Sequence, residues 1–193
     1  MRDKIEQYIN ESIEVKKKIL EDSNIIETIK KVVDYIVDVY KNNGKILLCG
    51  NGGSAADAQH IAAEFSGRFK LDRRPLFAEA LHVNTSYLTA VANDYSYDEV
   101  FSRLVEAFGK SGDFLIAIST SGNSPNILKA IEKARELGIK VLGLSGKDGG
   151  KMKDMCDYII VVPSYNTPRI QEAHIMIGHI IAELVENNLF GGD

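Results

Sequence analysis

The sequence predicts an α/β three-layer sandwich: a five-stranded parallel sheet with helices on both faces, preceded by N-terminal helices. Three observations carry this expectation. Five short apolar runs, most of them free of charge, suit strands covered on both sides. Helix-period stretches alternate with those runs, which is the pattern of a doubly wound sheet. The most polar, glycine-rich turns follow the first and third runs, where open α/β sheets bind their ligands.

Residues 1–43 read as two helices. Ile5, Tyr8, Ile9, Ile13, Ile19 and Leu20 form an apolar stripe among Lys and Glu. Asp22-Ser23-Asn24 is a helix-start cluster, and a second period then runs from Ile25 to Tyr40. Asn42-Asn43-Gly44 ends it. The first helix has no obvious partner of its own, so its stripe packs either on the main domain or on another subunit. The expected strands are Lys45–Gly50, Leu76–His82, Phe114–Ser119, Lys140–Ser145 and Tyr158–Pro163. The expected helices between them are Ser54–Phe69, Asp98–Phe108, Pro125–Leu137 and a short Asp148–Met155, with a long terminal helix over Thr167–Asn188. No linker or repeat divides the chain, so 1–193 reads as one domain with 1–43 as a helical extension.

The chain has 193 residues, enough for one full core. Its formal net charge of −4 argues against general nucleic-acid binding, which needs a basic surface. No apolar run reaches the roughly 20 residues of a membrane span. The amino terminus is charged from Arg2 and lacks the apolar core of a signal peptide. Cys49 and Cys156 are too few for a disulfide framework and read as reduced thiols of a cytoplasmic protein.

The turn after the third run, Ser119-Thr120-Ser121-Gly122-Asn123-Ser124, holds four hydroxyls and leads into Pro125 at a plausible first helical position. Free N–H groups at a helix start, joined by hydroxyls, make an anion cradle. With no Lys or Arg in it, the loop suits a phosphate ester held by hydrogen bonds and is not a Walker loop; a serine-rich helix cap without a ligand has the same sequence. The turn after the first run, Gly50-Asn51-Gly52-Gly53-Ser54-Ala55, fits a weak dinucleotide fingerprint. The next strand ends in His82-Val83-Asn84, with no acid to hold a ribose, which argues against a nicotinamide enzyme. Asn51 and Ser54 are placed to bind sugar hydroxyls or phosphate.

His60 and Glu64 lie four residues apart, on one face of a helix, and could chelate a divalent ion. An exposed ion pair has the same spacing. Asp57 lies one turn earlier. Gln171 and His179 are separated by about 80° and about 12 Å on an ideal helix, so one ion reaches both only if the side chains converge or come from different subunits. His174 is a competing ligand or a packed core histidine. A carboxylate and an imidazole together can move protons next to a carbonyl. Asn93-Asp94 could bind substrate hydroxyls or cap a helix.

These residues resemble the phosphoheptose isomerases. The likeness rests on Cys49 to His60 with Glu64 and Gly67-Arg68, on Asn93-Asp94-Tyr95, on Ile118 to Ser124, on Gly143 to Gly150, and on Arg169-Ile170-Gln171-Glu172. It runs over nearly the whole chain. The resemblance implies a sugar-isomerase (SIS) domain and a homotetramer with active sites at subunit interfaces. It also implies interconversion of sedoheptulose 7-phosphate and D-glycero-D-manno-heptose 7-phosphate, a step toward nucleotide-activated heptose for lipopolysaccharide or other surface glycans. It implies one zinc ion per subunit on His60, Glu64, Gln171 and His179. Substrate contacts fall on Asn51, Gly52, Gly53, Glu64, Asn93, Asp94, Ser119, Thr120, Ser121, Ser124 and Gln171, and the base and acid on Glu64 and His179. Asn166-Thr167-Pro168 departs from relatives that carry an Asp there. A SIS-fold paralogue that binds the bacterial replication initiator is the alternative; it lacks residues matching Glu64 and His179, which this chain has.

Overall fold

Side chains alternate along a strand, so strands covered on both faces supply two cores at once. The computed structural model describes residues 1–191 and shows this division. Strands β1 (Ile46–Gly50), β2 (Ala78–Ala80), β3 (Phe114–Ile118), β4 (Lys140–Gly146) and β5 (Tyr158–Val162) form one parallel sheet in the order β2-β1-β3-β4-β5. Ile46, Leu48, Phe114, Ile116 and Leu144 face one core. That core is shared with α1 (Arg2–Glu21), α2 (Ser23–Lys41), α3 (Gly53–Ser66) and α7 (Thr167–Phe190). Leu47, Cys49, Leu115, Ala117 and Val141 face the other core. It is closed by α4 (Thr85–Asp94), α5 (Ser102–Phe108) and α6 (Pro125–Glu136). The layered α/β architecture expected from the sequence is therefore present.

Several boundaries differ from expectation. Strand β2 covers only Ala78–Ala80 of the run Leu76–His82, at the edge of the sheet beside β1, with flanking bonds from Ile46 N–H to the Phe77 carbonyl and from Leu81 N–H to the Leu48 carbonyl. Helix α4 was not expected: Asn84 caps it, its Oδ1 accepting the Tyr87 N–H at 3.0 Å, and Asn93-Asp94 form its last two positions. The stretch Asp98–Phe108 splits into a 3₁₀ turn, Tyr97–Glu99, and α5. The short helix at Asp148–Met155 is a 3₁₀ turn, Gly150–Asp154. Helix α3 stops at Ser66 rather than Phe69, while α7 runs on to Phe190. The last two positions of the expected unit 1–193 lie outside the described residues.

Helix α1 contributes Val15 and Ile19 to the core, whereas Ile5, Tyr8, Ile9, Ile13 and Leu20 remain exposed. Arg169 Nη1 ties it to the start of α7 by donating to the Tyr8 carbonyl at 2.9 Å. No described helix is long and apolar enough to cross a membrane.

In this strand order β1 and β3 are neighbours, yet the chain leaves β1 toward β2 on one side and reaches β4 from β3 on the other. Their carboxyl ends flank the switch point of the sheet, where a ligand crevice opens.

Candidate active site

The turn after β1 is shaped by glycine. A methyl group on Gly50 would overlap the Ser54 carbonyl, and Gly52 has a φ of 56°, which side chains rarely adopt. The Asn51 side chain is engaged internally. Its Nδ2 donates to Asn126 Oδ1 at 2.9 Å, and its Oδ1 accepts from Asn126 Nδ2 at 2.9 Å and from the Tyr97 hydroxyl at 3.1 Å. Asn126 is buried in the first turn of α6. The reciprocal amide pair thus fixes the glycine turn to the loop after β3. Gly53 opens α3, and a methyl there would come within 2.5 Å of Gln171 Nε2, so the Gln171 amide rests on this bare backbone.

The second turn follows β3. Ser119 is buried, its hydroxyl 2.9 Å from that of Ser124 and 3.5 Å from that of Ser121. The Ser121 hydroxyl also accepts the Asn123 N–H at 3.2 Å. Thr120 is half-buried between them. Ser124 occupies the N-cap of α6 without bonding the helix N–H groups through its side chain, and Pro125 follows. The positive end of α6 therefore faces the hydroxyls with no side chain closing it, as an anion cradle requires. Gly122, with a φ of 66°, lies directly on the backbone of Gly149, which locks the loop to the turn after β4.

The third group joins α3 to α7. His60 Nε2 lies 3.0 Å from Glu64 Oε1 and 3.0 Å from His179 Nε2. The rings of His60 and His179 meet edge to face, with centroids 5.0 Å apart. One donor atom from each of the three residues lies within 4.8 Å of the others. Two imidazole nitrogens facing each other beside a carboxylate can share one proton or surround one cation. The donor set, two imidazoles and one carboxylate, suits zinc. His179 thus reaches the α3 pair within one chain, while Gln171 lies two turns earlier, beside Gly53. Phe69 stacks on His179, with centroids 5.7 Å apart and planes 19° from parallel.

The remaining expected residues are placed as follows. Asn93 and Asp94 are exposed at the end of α4, with Asn93 Nδ2 donating to Asp94 Oδ1 at 2.9 Å. Tyr97, three residues on, carries that segment to Asn51. Asp57 is half-buried, and burial pushes its carboxyl up to about 6 against the opposing effect of His60. His174 is a core residue, not a ligand: its Nε2 lies 3.0 Å from the Ser145 carbonyl oxygen, and burial lowers its pKa to about 4. Burial also raises the thiols of Cys49 and Cys156, the latter to about 12, so neither is a ready nucleophile.

Sequence reasoning missed Phe69, Tyr97 and Asn126. The one available signal was Asn126 directly after Ser124-Pro125, in the first turn of a helix bordering the cradle.

The SIS domain family model matches residues 7–146. A phosphoheptose isomerase of Clostridium acetobutylicum is 59% identical over 99% of this chain and 97% of its own length. One from Aneurinibacillus thermoaerophilus is 55% identical over 98% of this chain and 96% of its own. Among solved structures, a phosphoheptose isomerase from Neisseria gonorrhoeae superposes with a TM-score of 0.91 at 41% identity, covering 96% of this chain and 98% of that one. This chain belongs to the phosphoheptose isomerase family of SIS-domain enzymes.

Proposed function

We propose that this protein, as a single SIS domain, interconverts sedoheptulose 7-phosphate and D-glycero-D-manno-heptose 7-phosphate through a cis-enediol. The observation that carries the reading is the meeting of Glu64 and His179 beside His60, in a chain that also holds a hydroxyl cradle free of Lys and Arg at the start of α6. In this reading Ser119, Thr120, Ser121 and Ser124 hold the phosphate against the start of α6. The backbone of Gly52 and Gly53, with Asn51, Asn93 and Asp94, lines the hydroxyl side, and Gln171 touches the substrate from α7.

Glu64 removes a proton from C1 of the ketose while the C2 oxygen gains one, giving the enediol. Return of the proton to C2, with loss of the O1 proton, gives the aldose. His179 serves the oxygens. No net electron leaves the sugar, so no redox partner is needed. His60, Glu64 and His179 would hold zinc, with Gln171, which rests on Gly53 two turns away, joining them only by convergence or from another subunit; the bound ion would stabilise negative charge on the oxygens of the reacting carbons.

The exposed stripe Ile5, Tyr8, Ile9 and Ile13 supports a homotetramer, since so much apolar surface along one helix suits a partner subunit. We place the protein in the cytoplasm, supplying heptose for surface glycans.

The test is incubation of zinc-supplemented protein with sedoheptulose 7-phosphate in deuterated water, beside a Glu64→Gln control, read by mass spectrometry. Aldose phosphate carrying deuterium at C2, formed by the parent alone, is the expected result. No turnover by the folded, metal-loaded parent would refute the substrate assignment. Equal turnover by Glu64→Gln would remove Glu64 as the base.

A further inference from the structure

One buried ion pair holds the end of α3 and the chain that follows it. The side chains of Arg73 and Glu186 are 3% and 1% exposed, with Nε and Oε1 2.9 Å apart. Glu186 Oε1 also accepts the Phe69 N–H at 3.1 Å, and Oε2 accepts those of Lys70 at 2.7 Å and Leu71 at 3.0 Å. Burial pushes this carboxyl up, but the three N–H groups and Arg73 outweigh it and hold the pKa below the ordinary value. The remaining guanidinium nitrogens cap carbonyls. Nη2 donates to Glu64 O at 2.8 Å, and Nη1 to Phe65 O at 2.8 Å and to Gly67 O and Arg74 O at 3.1 Å. The last carbonyls of α3, left without helical partners by the end of the helix, are met by this arginine, and that of Phe65 also by the Leu76 N–H.

A buried ion pair is weak evidence for stability, because dehydration offsets the attraction. This pair does fix position. It binds the backbone of Glu64, whose carboxylate belongs to the site. It also binds the N–H of Phe69, whose ring lies over His179. Two of the three converging donors are thus located by one carboxylate on α7.

We infer that Arg73, Glu186 and Phe69 are positioning residues, which set the Glu64 carboxylate and the His179 imidazole in register for metal binding and proton transfer. None of the three is assigned a contact with substrate. The inference rests on the proposed function, so its test needs a readout apart from turnover. Cobalt(II) added to the metal-free full-length chain supplies one, through its visible absorption.

Phe69→Leu keeps apolar bulk and removes the stacked ring; Phe69→Tyr keeps the ring. Misplaced supporting groups weaken metal affinity by about 10- to 100-fold, so Phe69→Leu is expected to lose at least about 10-fold in cobalt affinity. Its kcat should fall by a similar factor, with KM and the thermal midpoint held. Phe69→Tyr should recover both. Glu186→Gln should show the same two losses together with a lower thermal midpoint; should it fail to fold, Phe69→Leu decides.

Parent-like cobalt affinity and kcat in Phe69→Leu would overturn the inference. Losses that only track the thermal midpoint would also overturn it, by reducing the three residues to a purely structural role. A parent that binds cobalt but does not turn over sedoheptulose 7-phosphate would refute the substrate assignment and leave the affinity comparison to decide. A parent that turns over without binding cobalt would refute the metal reading, and kcat would decide. A parent that does neither overturns both.

Discussion

Replacing His174 by Gln should flatten the acid limb of the protein's stability. In the fold His174 Nε2–H donates to the Ser145 carbonyl, while Nδ1 is buried without a partner, as is the nearby Ser145 hydroxyl. A proton arriving on Nδ1 would find no acceptor, and the charge would lie in an apolar core. The pKa falls accordingly from 6.5 to about 4, because of burial and despite the bond to Ser145. Since the folded value is the lower one, the unfolded chain binds the extra proton first. The neutral group's contribution is full above the unfolded pKa and is lost as pH falls toward the folded one. The shift corresponds to about 3 kcal/mol in total, of which about 2 kcal/mol is lost between about pH 7 and about pH 4.5. Gln can still donate to Ser145 but does not titrate. Urea unfolding of parent and His174→Gln at several pH values gives the difference in slope. Parallel curves for the two proteins would show that His174 charges as easily when folded as when unfolded, and would refute the reasoning.

Gly53→Ala should fold normally, or gain up to about 1 kcal/mol from helix propensity. The new methyl must displace the Gln171 amide, however, and we expect kcat/KM to fall about 100-fold; parent-like kinetics would remove Gln171 from the site. Gly122→Ala meets backbone instead of a movable side chain and strains a φ of 66°, so it should cost at least about 2 kcal/mol by urea unfolding, and phosphate affinity with it. Asn126→Ala should cost about 1–3 kcal/mol by leaving the Asn51 amide short of a partner, with KM rising more than kcat falls. Zinc at about 100 times its Kd should stabilise the metal-free chain by about 2.7 kcal/mol, and His60→Ala should abolish the gain in a thermal melt.

The layers of the fold were legible because strands buried on both faces must be apolar throughout: all five residues of β1 and of β3 are buried. Helix α4 was not legible. Its sequence, Thr85-Ser86-Tyr87-Leu88-Thr89, offers β-branched and aromatic residues, and it forms a helix because Asn84 caps it and Val91 packs in the core. Within the site, His60 and Glu64 could be paired by helix spacing. That His179 would join them depends on how α7 lies along α3, a tertiary fact. The close approach of the two helices is recorded at Gly178, where a methyl would overlap Ile61. Arg73 and Glu186 lie far apart in sequence, and nothing in the local pattern around either one marks the pair.

The placement of Glu186 also bears on when the enzyme becomes competent during its synthesis. A growing chain emerges amino end first, and its elements settle as they appear. The sheet and the hydroxyl cradle are complete by Val162, well before α7 is made. The stretch after α3 has to wait, because the carboxylate that gathers its three N–H groups is encoded more than a hundred positions later. A nascent chain can thus hold a formed sheet while the His60, Glu64 and His179 cluster is still open, and α7 completes that cluster as it closes the fold.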